Sequence, residues 1–332
     1  MPARRRADHL CEARTILPIL SVDHVTTYRY RQPVGLGEHR ILFRPRDSYD
    51  QRLLAASLTV TPEPVSLRWI HDVFGNCVAV ARFRGRAQEL RFVARITLEH
   101  TPEPPLSFAL APHAARFPFA YEPDEMPDLA RCIERQRPDP DDAVLAWARG
   151  FLEPDGTAET RALLAAMTAG IRRDFAYEAR TDKGVQDPAE TLRLRRGSCR
   201  DFALLMIEAV RSLGMAARFV SGYIYVPERD GAALHVGGGS THAWVQVYLP
   251  GAGWVEFDPT NGIVGNRDLI RVAVARHPGQ AVPLHGSWIG RPEDFLDMAV
   301  TVRVTERDEA ALSASCPAPV ASAAPVRLVA AD

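Results

Sequence analysis

The stretch from Thr241 to Gly262 constrains the fold more tightly than any other. Two segments of alternating apolar and polar residues flank Pro250 to Gly253, a pattern that predicts a β-hairpin with its turn there. Period-two alternation puts His242, Trp244, Gln246 and Tyr248 on one face of the first strand, and Trp254, Glu256 and Asp258 on one face of the second. Register decides whether those faces coincide. If opposed residues carry numbers with an even sum, His242 and Asp258 lie directly or diagonally across from one another; an odd sum puts them on opposite faces.

Upstream, Arg196 to Gly214 predicts a helix with Cys199 in its first turn. Ser198 is a suitable N-cap, Phe202, Met206, Val210 and Leu213 fall on one face, and Gly214 ends the element. Unpaired N–H groups at a helix N-terminus stabilise an anion, so this position favours a thiolate. Asp201, two residues on, fits capping or support better than acid–base chemistry.

Together these segments supply what thiol acyl transfer needs: Cys199 as nucleophile, His242 to take and return its proton, and Asp258 to orient the imidazole. Around them, Ser198, Arg200, Trp244 and Tyr223 are candidates for substrate contact or support. Packing is the simpler role for Trp244 and Trp254, because hairpin aromatics usually pack across strands, and for Tyr223. Gly237 to Gly239 lacks the Lys-Ser/Thr that follows a phosphate loop and predicts a flexible loop or lid before His242. His235, His242 and Cys199 show no metal-ligand spacing, so neither a metal nor another cofactor is expected.

The 332 residues, 46% of them hydrophobic, are too many for one ordinary core. From Ser21 to about Glu103 the chain carries short strand-like runs (22–30, 55–61, 65–72, 76–83 and 89–99), a pattern for an antiparallel sheet or sandwich that the prolines of Thr101 to Pro105 close off. The chain from 106 to 156 is a Pro-rich and partly helical connector, with helical periodicity over Asp141 to Leu152. Thr157 to Phe175 is helical too and opens a domain reaching residue 306, in which Leu269 to Ala275 and Asp297 to Thr305 serve as closing strands. Residues 1–20 are expected to be flexible, and the Ala/Pro-rich segment 307–332 to be disordered.

Forty basic and 41 acidic residues leave a net charge of −1, which favours neither nucleic acid nor an anionic membrane as partner. Lys183 is the lone lysine, a bias more in keeping with base composition than with selection for arginine. No apolar run approaches the roughly 18 residues needed to span a bilayer. Arg4 to Arg6 precede only the short apolar stretch Ile16 to Leu20, so a secretory leader is not expected. Five scattered cysteines without a CxxC pair fit a reducing cytoplasm.

Arg196 to Ala203, Arg218 to Tyr223, Thr241 to Val245 and Gly253 to Gly262 resemble, in order, the motifs of bacterial transglutaminase-like proteins. The β-rich N-terminal part resembles the domain that accompanies this core, so the likeness runs from about Ser21 to Thr305. It implies an α+β fold: an N-terminal antiparallel β domain followed by a papain-like transglutaminase core, its Cys-bearing helix packed on an antiparallel sheet carrying His and Asp. It also implies Cys199, His242 and Asp258 as catalytic residues and a protein or peptide substrate. Two departures are Arg200, where relatives often carry an uncharged polar residue, which implies an altered substrate charge preference, and the absence of acidic residues from Ala275 to Pro283. A different class of function, a protein-interaction module with a residual triad, predicts that Cys199→Ala leaves the function intact.

Overall fold

The computed structural model describes residues 17–180, 184–229, 232–233 and 235–307. Residues 1–16 of the expected flexible start and 308–332 of the Ala/Pro-rich tail fall outside them, whereas Ile19 and Leu20 are buried at the start of the opening strand and Arg307 ends the last one. Among the described residues no helix is long and apolar enough to cross a membrane.

The first domain is built on one long strand, β1 (Ile19–Ile41), rich in β-branched and aromatic residues. β2 (Gln51–Thr61), β3 (Ser66–His71), β4 (Cys77–Arg82) and β5 (Arg86–His100) follow. β5 and then β4 run antiparallel along one side of β1, while β2 and β3 run along the outer sides of β5 and β4. These tracks break at similar levels: β1 loses register with β5 between Arg29 and Val34, and gaps at 62–65 and 83–85 separate β2 from β3 and β4 from β5. Pro33 has no N–H to offer the ladder and Pro62 and Pro64 stand in the outer gap, so the sheet curls there. Tyr30, Val34, Ile41, Phe43, Leu90 and Phe92 are buried together in its core.

The second domain contributes helices α1 (Met126–Ile133), α2 (Ala143–Arg149), α3 (Thr160–Asp174), α4 (Pro188–Leu194) and α5 (Cys199–Ser212), then strands β6 (Ala217–Ile224), β7 (His242–Leu249), β8 (Gly253–Asp258) and β9 (Leu269–Ala275). The sheet is antiparallel, in the order Ile263–Val264, β8, β7, β6, β9. α5 packs on it through the odd-numbered residues of β7, Ala243, Val245, Val247 and Leu249, with Val255 and Phe257 of β8. Instead of one apolar face, α5 is buried on all sides, charges included. Glu208 and Arg211 form an internal pair at 2.9 Å. Glu208 also accepts the Gln136 and Arg137 N–H groups, and Arg211 donates to the carbonyls of Cys132, Ala217 and Arg276. That saturation is what makes a buried ion pair tolerable.

The last strands correct the expected boundary. β10 (Leu284–Ile289) and β11 (Phe295–Arg307) pair with the free side of β1, so the segment read as closing the second domain completes the first. β9 is instead an edge strand of the second sheet, and two carboxamides from the first domain cover it. Gln51 donates to Arg271 O at 2.8 Å and accepts its N–H at 3.1 Å. Asn76 treats Val274 in the same way at 2.7 and 2.9 Å. The exchange satisfies backbone groups that an open edge leaves bare.

Candidate active site

Cys199 is the first residue of α5, as the sequence predicts. Gly197, two residues before it, has no room for a side chain, since a Cβ there would stand 2.9 Å from Asp201 Cβ. Asp201 is fully buried and secures the helix start. Its carboxylate accepts the N–H and hydroxyl of Ser198, both at 2.8 Å, Arg180 Nη1 at 2.9 Å and the Gln186 N–H at 2.7 Å. Both Ser198 and Asp201 therefore act as capping groups.

The hairpin adopts the even-sum register: Val245 opposes Phe257 and Leu249 opposes Gly253. His242 and Asp258 consequently share a face and meet diagonally, with His242 Nε2 2.8 Å from Asp258 Oδ2. Asp258 also accepts Thr260 N–H and Asn261 Nδ2, each at 2.9 Å. Burial works against both charges, yet the balance favours the ion pair: the Asp258 carboxylate and the neighbouring Cys199 push His242 up, and His242, Asn261 and Thr260 hold Asp258 below the usual carboxylate range. The other ring nitrogen, Nδ1, is buried without a hydrogen-bond partner. Because the even-numbered face of β7 turns away from the apolar side of α5, it is the helix's first residue, not its packing surface, that meets the imidazole.

Trp244 is fully buried and stacks on His242, ring centroids 6.0 Å apart, so it supports the imidazole and walls no groove. Tyr223 points elsewhere: its hydroxyl lies 2.9 Å from His24 Nδ1 in the first domain. Arg200 also departs from the expectation of a substrate-facing charge. Its guanidinium donates to Pro278 O at 2.7 Å and lies 4.8 Å from the Phe219 ring centre, which clasps the 276–283 loop to α5. Tyr177, not singled out in the sequence, pairs through its backbone with Gly197 beside the thiol. Burial, with Cys199 and Asp258 nearby, pushes its hydroxyl up to about 12.

Residues 20–99 match the family described as the bacterial transglutaminase-like N-terminal region, and residues 146–259 match the transglutaminase-like superfamily. An uncharacterized protein of Mycobacterium tuberculosis is 30% identical over 297 residues, covering 86% of this chain and 93% of that one. The chain belongs to the transglutaminase-like superfamily. A protein-glutamine gamma-glutamyltransferase of Pseudomonas aeruginosa is 29% identical over 120 residues, 33% of this chain and 17% of that enzyme. Among solved structures, a Cytophaga hutchinsonii protein described as a candidate cysteine protease superposes with a TM-score of 0.61 at 19% identity, over 88% of this chain and 91% of that one. The curled β domain followed by a transglutaminase-like core is thus the fold that the sequence motifs imply.

Among the described residues, no group of three or more His, Cys, Asp or Glu side chains is placed to hold a metal ion. The transglutaminase-like core presents a thiol, an imidazole and a carboxylate, the parts required to form and resolve an acyl-thiol intermediate.

Proposed function

We propose that the protein is a thiol-dependent acyl transferase or hydrolase acting on amides of proteins or peptides through a thioester on Cys199. The observation that carries this reading is the buried 2.8 Å contact between His242 Nε2 and Asp258, which leaves Nδ1 as the nitrogen for the thiol. Asp258 fixes the ring and sustains its charge. The proton His242 carries at Nδ1 is the one given up by Cys199, and the thiolate attacks the amide carbonyl. The Cys199 and Arg200 N–H groups precede the first ladder donors of α5, Asp201 and Phe202, which bond to Ser198 O, and they are the donors for the developing oxyanion, an effect worth about 3 kcal/mol per donor in other enzymes. Collapse of the tetrahedral species breaks the C–N bond, and His242 returns the proton to the departing amine. A second nucleophile then releases the acyl group: water yields hydrolysis or deamidation, an amine yields a new amide.

The relatives lend support in both directions, since one is named as a glutamyl transferase and another is described as a candidate protease. Incubation with a peptide library, with and without a primary amine, followed by mass spectrometry tests the reading. Turnover and an acyl adduct on Cys199, both lost in Cys199→Ala and His242→Ala, support it. Failure of every acyl donor to give turnover or adduct counts against it.

A further inference from the structure

Asn261 lies outside the Cys199–His242–Asp258 group, yet its carboxamide serves two parts of the site at once. Nδ2 donates at 2.9 Å to Asp258 Oδ2, the oxygen that also receives His242 Nε2. The same Nδ2 lies 3.2 Å from Val236 O, and Oδ1 accepts the Val236 N–H at 2.8 Å. Val236 begins a strap through Gly239. Gly237 sits so close to the imidazole that a Cβ on it would stand 2.8 Å from His242 Nδ1, and its φ of +92° is one that side-chain-bearing residues rarely adopt. Beyond it, Gly239 O accepts the Val302 N–H of β11 at 2.9 Å, and at the near end His235 Nε2 lies 3.0 Å from Asp268. The strap thus lies against the Nδ1 side of His242 and is anchored to both domains.

We propose that Asn261 is a positioning residue for the reaction proposed above: it holds Asp258 ionised and aligned with Nε2 and, through Val236, sets Gly237 against the Nδ1 side of His242. The acid and the strap then act as one unit. A hydrogen bond donated to a carboxylate favours its charged form, and both oxygens of Asp258 are served in this way. The ionisable groups facing Asp258 are His242 from β7 and Tyr177 from the segment after α3, and Cys199 from α5 faces those two. The nearest on the strap and its anchor are His235 and Asp268, and Arg172 of α3 lies beside Gly262.

The inference rests on the catalytic reading, so its test uses a readout that needs no substrate: the pH dependence of Cys199 alkylation by iodoacetamide in the full chain, followed by peptide mass spectrometry. Asn261→Ala is expected to slow alkylation near pH 6 by about tenfold and to move its acid limb up by about one pH unit. Asn261→Asp keeps the shape. Ionised, the introduced carboxylate repels Asp258; protonated, it donates as the carboxamide did. Its rate should therefore fall below that of Asn261→Ala at neutral pH and rise above it in acid, a crossing that loss of packing alone does not produce. Wild-type rates and limbs in both variants would overturn the positioning role and leave the reading of Cys199 standing. Parallel profiles without a crossing would also overturn it. If wild-type Cys199 behaves as an isolated thiol, alkylating no faster than Cys77 or Cys132, the catalytic reading fails and this inference with it.

Discussion

His242 and Asp258 meet across a diagonal of the hairpin: Asp258 stands one position beyond the Val245–Phe257 pair, and His242 lies three residues from Val245 on the opposing strand. The charge of Asp258, not only its shape, sustains the imidazolium. Asp258→Asn should therefore fold normally but lower the affinity of His242 for its proton. Alkylation of Cys199 near pH 6 is expected to slow by about tenfold for each pH unit by which the imidazolium is weakened. An unchanged alkylation profile would show that the carboxylate only positions the ring.

A second prediction concerns the interface between domains. His24 is buried against Phe43, its Nδ1 2.9 Å from Tyr223 Oη and its Nε2 2.9 Å from Thr26 Oγ1, and burial lowers its pKa from 6.5 to about 4. The unfolded chain binds the proton first. The stability that neutral His24 provides is thus complete above about pH 6.5, declines as the pH falls toward 4, and costs about 3 kcal/mol by the end of that interval. Denaturant titrations at pH 7.5 and 4.5 should show the loss in wild type, and His24→Gln should flatten it. Equal slopes in the two proteins would contradict the assignment.

Much of the site was legible because it is written in short-range periodicity. The hairpin faces, the helix start at Cys199 and the capping by Ser198 and Asp201 each depend on residues a few positions apart. Some missed elements left local signals: Asp187 followed by Pro188 and Glu190 marks the start of α4, an N-cap with proline in the first turn. Others left none. Nothing in the pattern of 297–305 tells which sheet it joins, since an alternating strand suits either, and the polar saturation of Glu208 and Arg211 comes from Gln136, Arg137, Cys132, Ala217 and Arg276. Asn261 falls within a recognised motif, but its partnership with Val236 exists only after folding.

Arg271 carries the third prediction. From β9 it reaches Asp50 of the first domain through both terminal nitrogens, at 3.1 and 2.9 Å, and Glu256 of the second at 2.6 Å. Glu256 is buried, and desolvation keeps its carboxyl above the usual range even with Arg271 in place. Arg271→Met should leave two buried carboxylates without their cation and cost about 3 to 5 kcal/mol. Adding Glu256→Gln should recover part of that loss, which a double-mutant cycle in denaturant would measure; strict additivity would exclude the coupling.

The last prediction is steric. Gly222 pairs with His242 on β7 on one side and with Arg271 on β9 on the other, at a point where the β6–β9 register shifts. A Cβ there would stand 2.1 Å from Ile270 O and 2.7 Å from Trp244 Cη2. The indole is the side chain stacked on His242, while the carbonyl belongs to the backbone of β9 and has little freedom to retreat. Gly222→Ala should consequently force the strands apart, at a cost of about 2 kcal/mol or more, and slow alkylation of Cys199 by displacing the histidine's support. Trimming the indole separates the two contacts. If the indole is the obstacle, Gly222→Ala with Trp244→Phe recovers stability over Gly222→Ala alone. Because the nearer atom is a backbone oxygen, the double variant is expected to melt no higher than Gly222→Ala, and a clear recovery would place the constraint in the aromatic stack instead of the sheet.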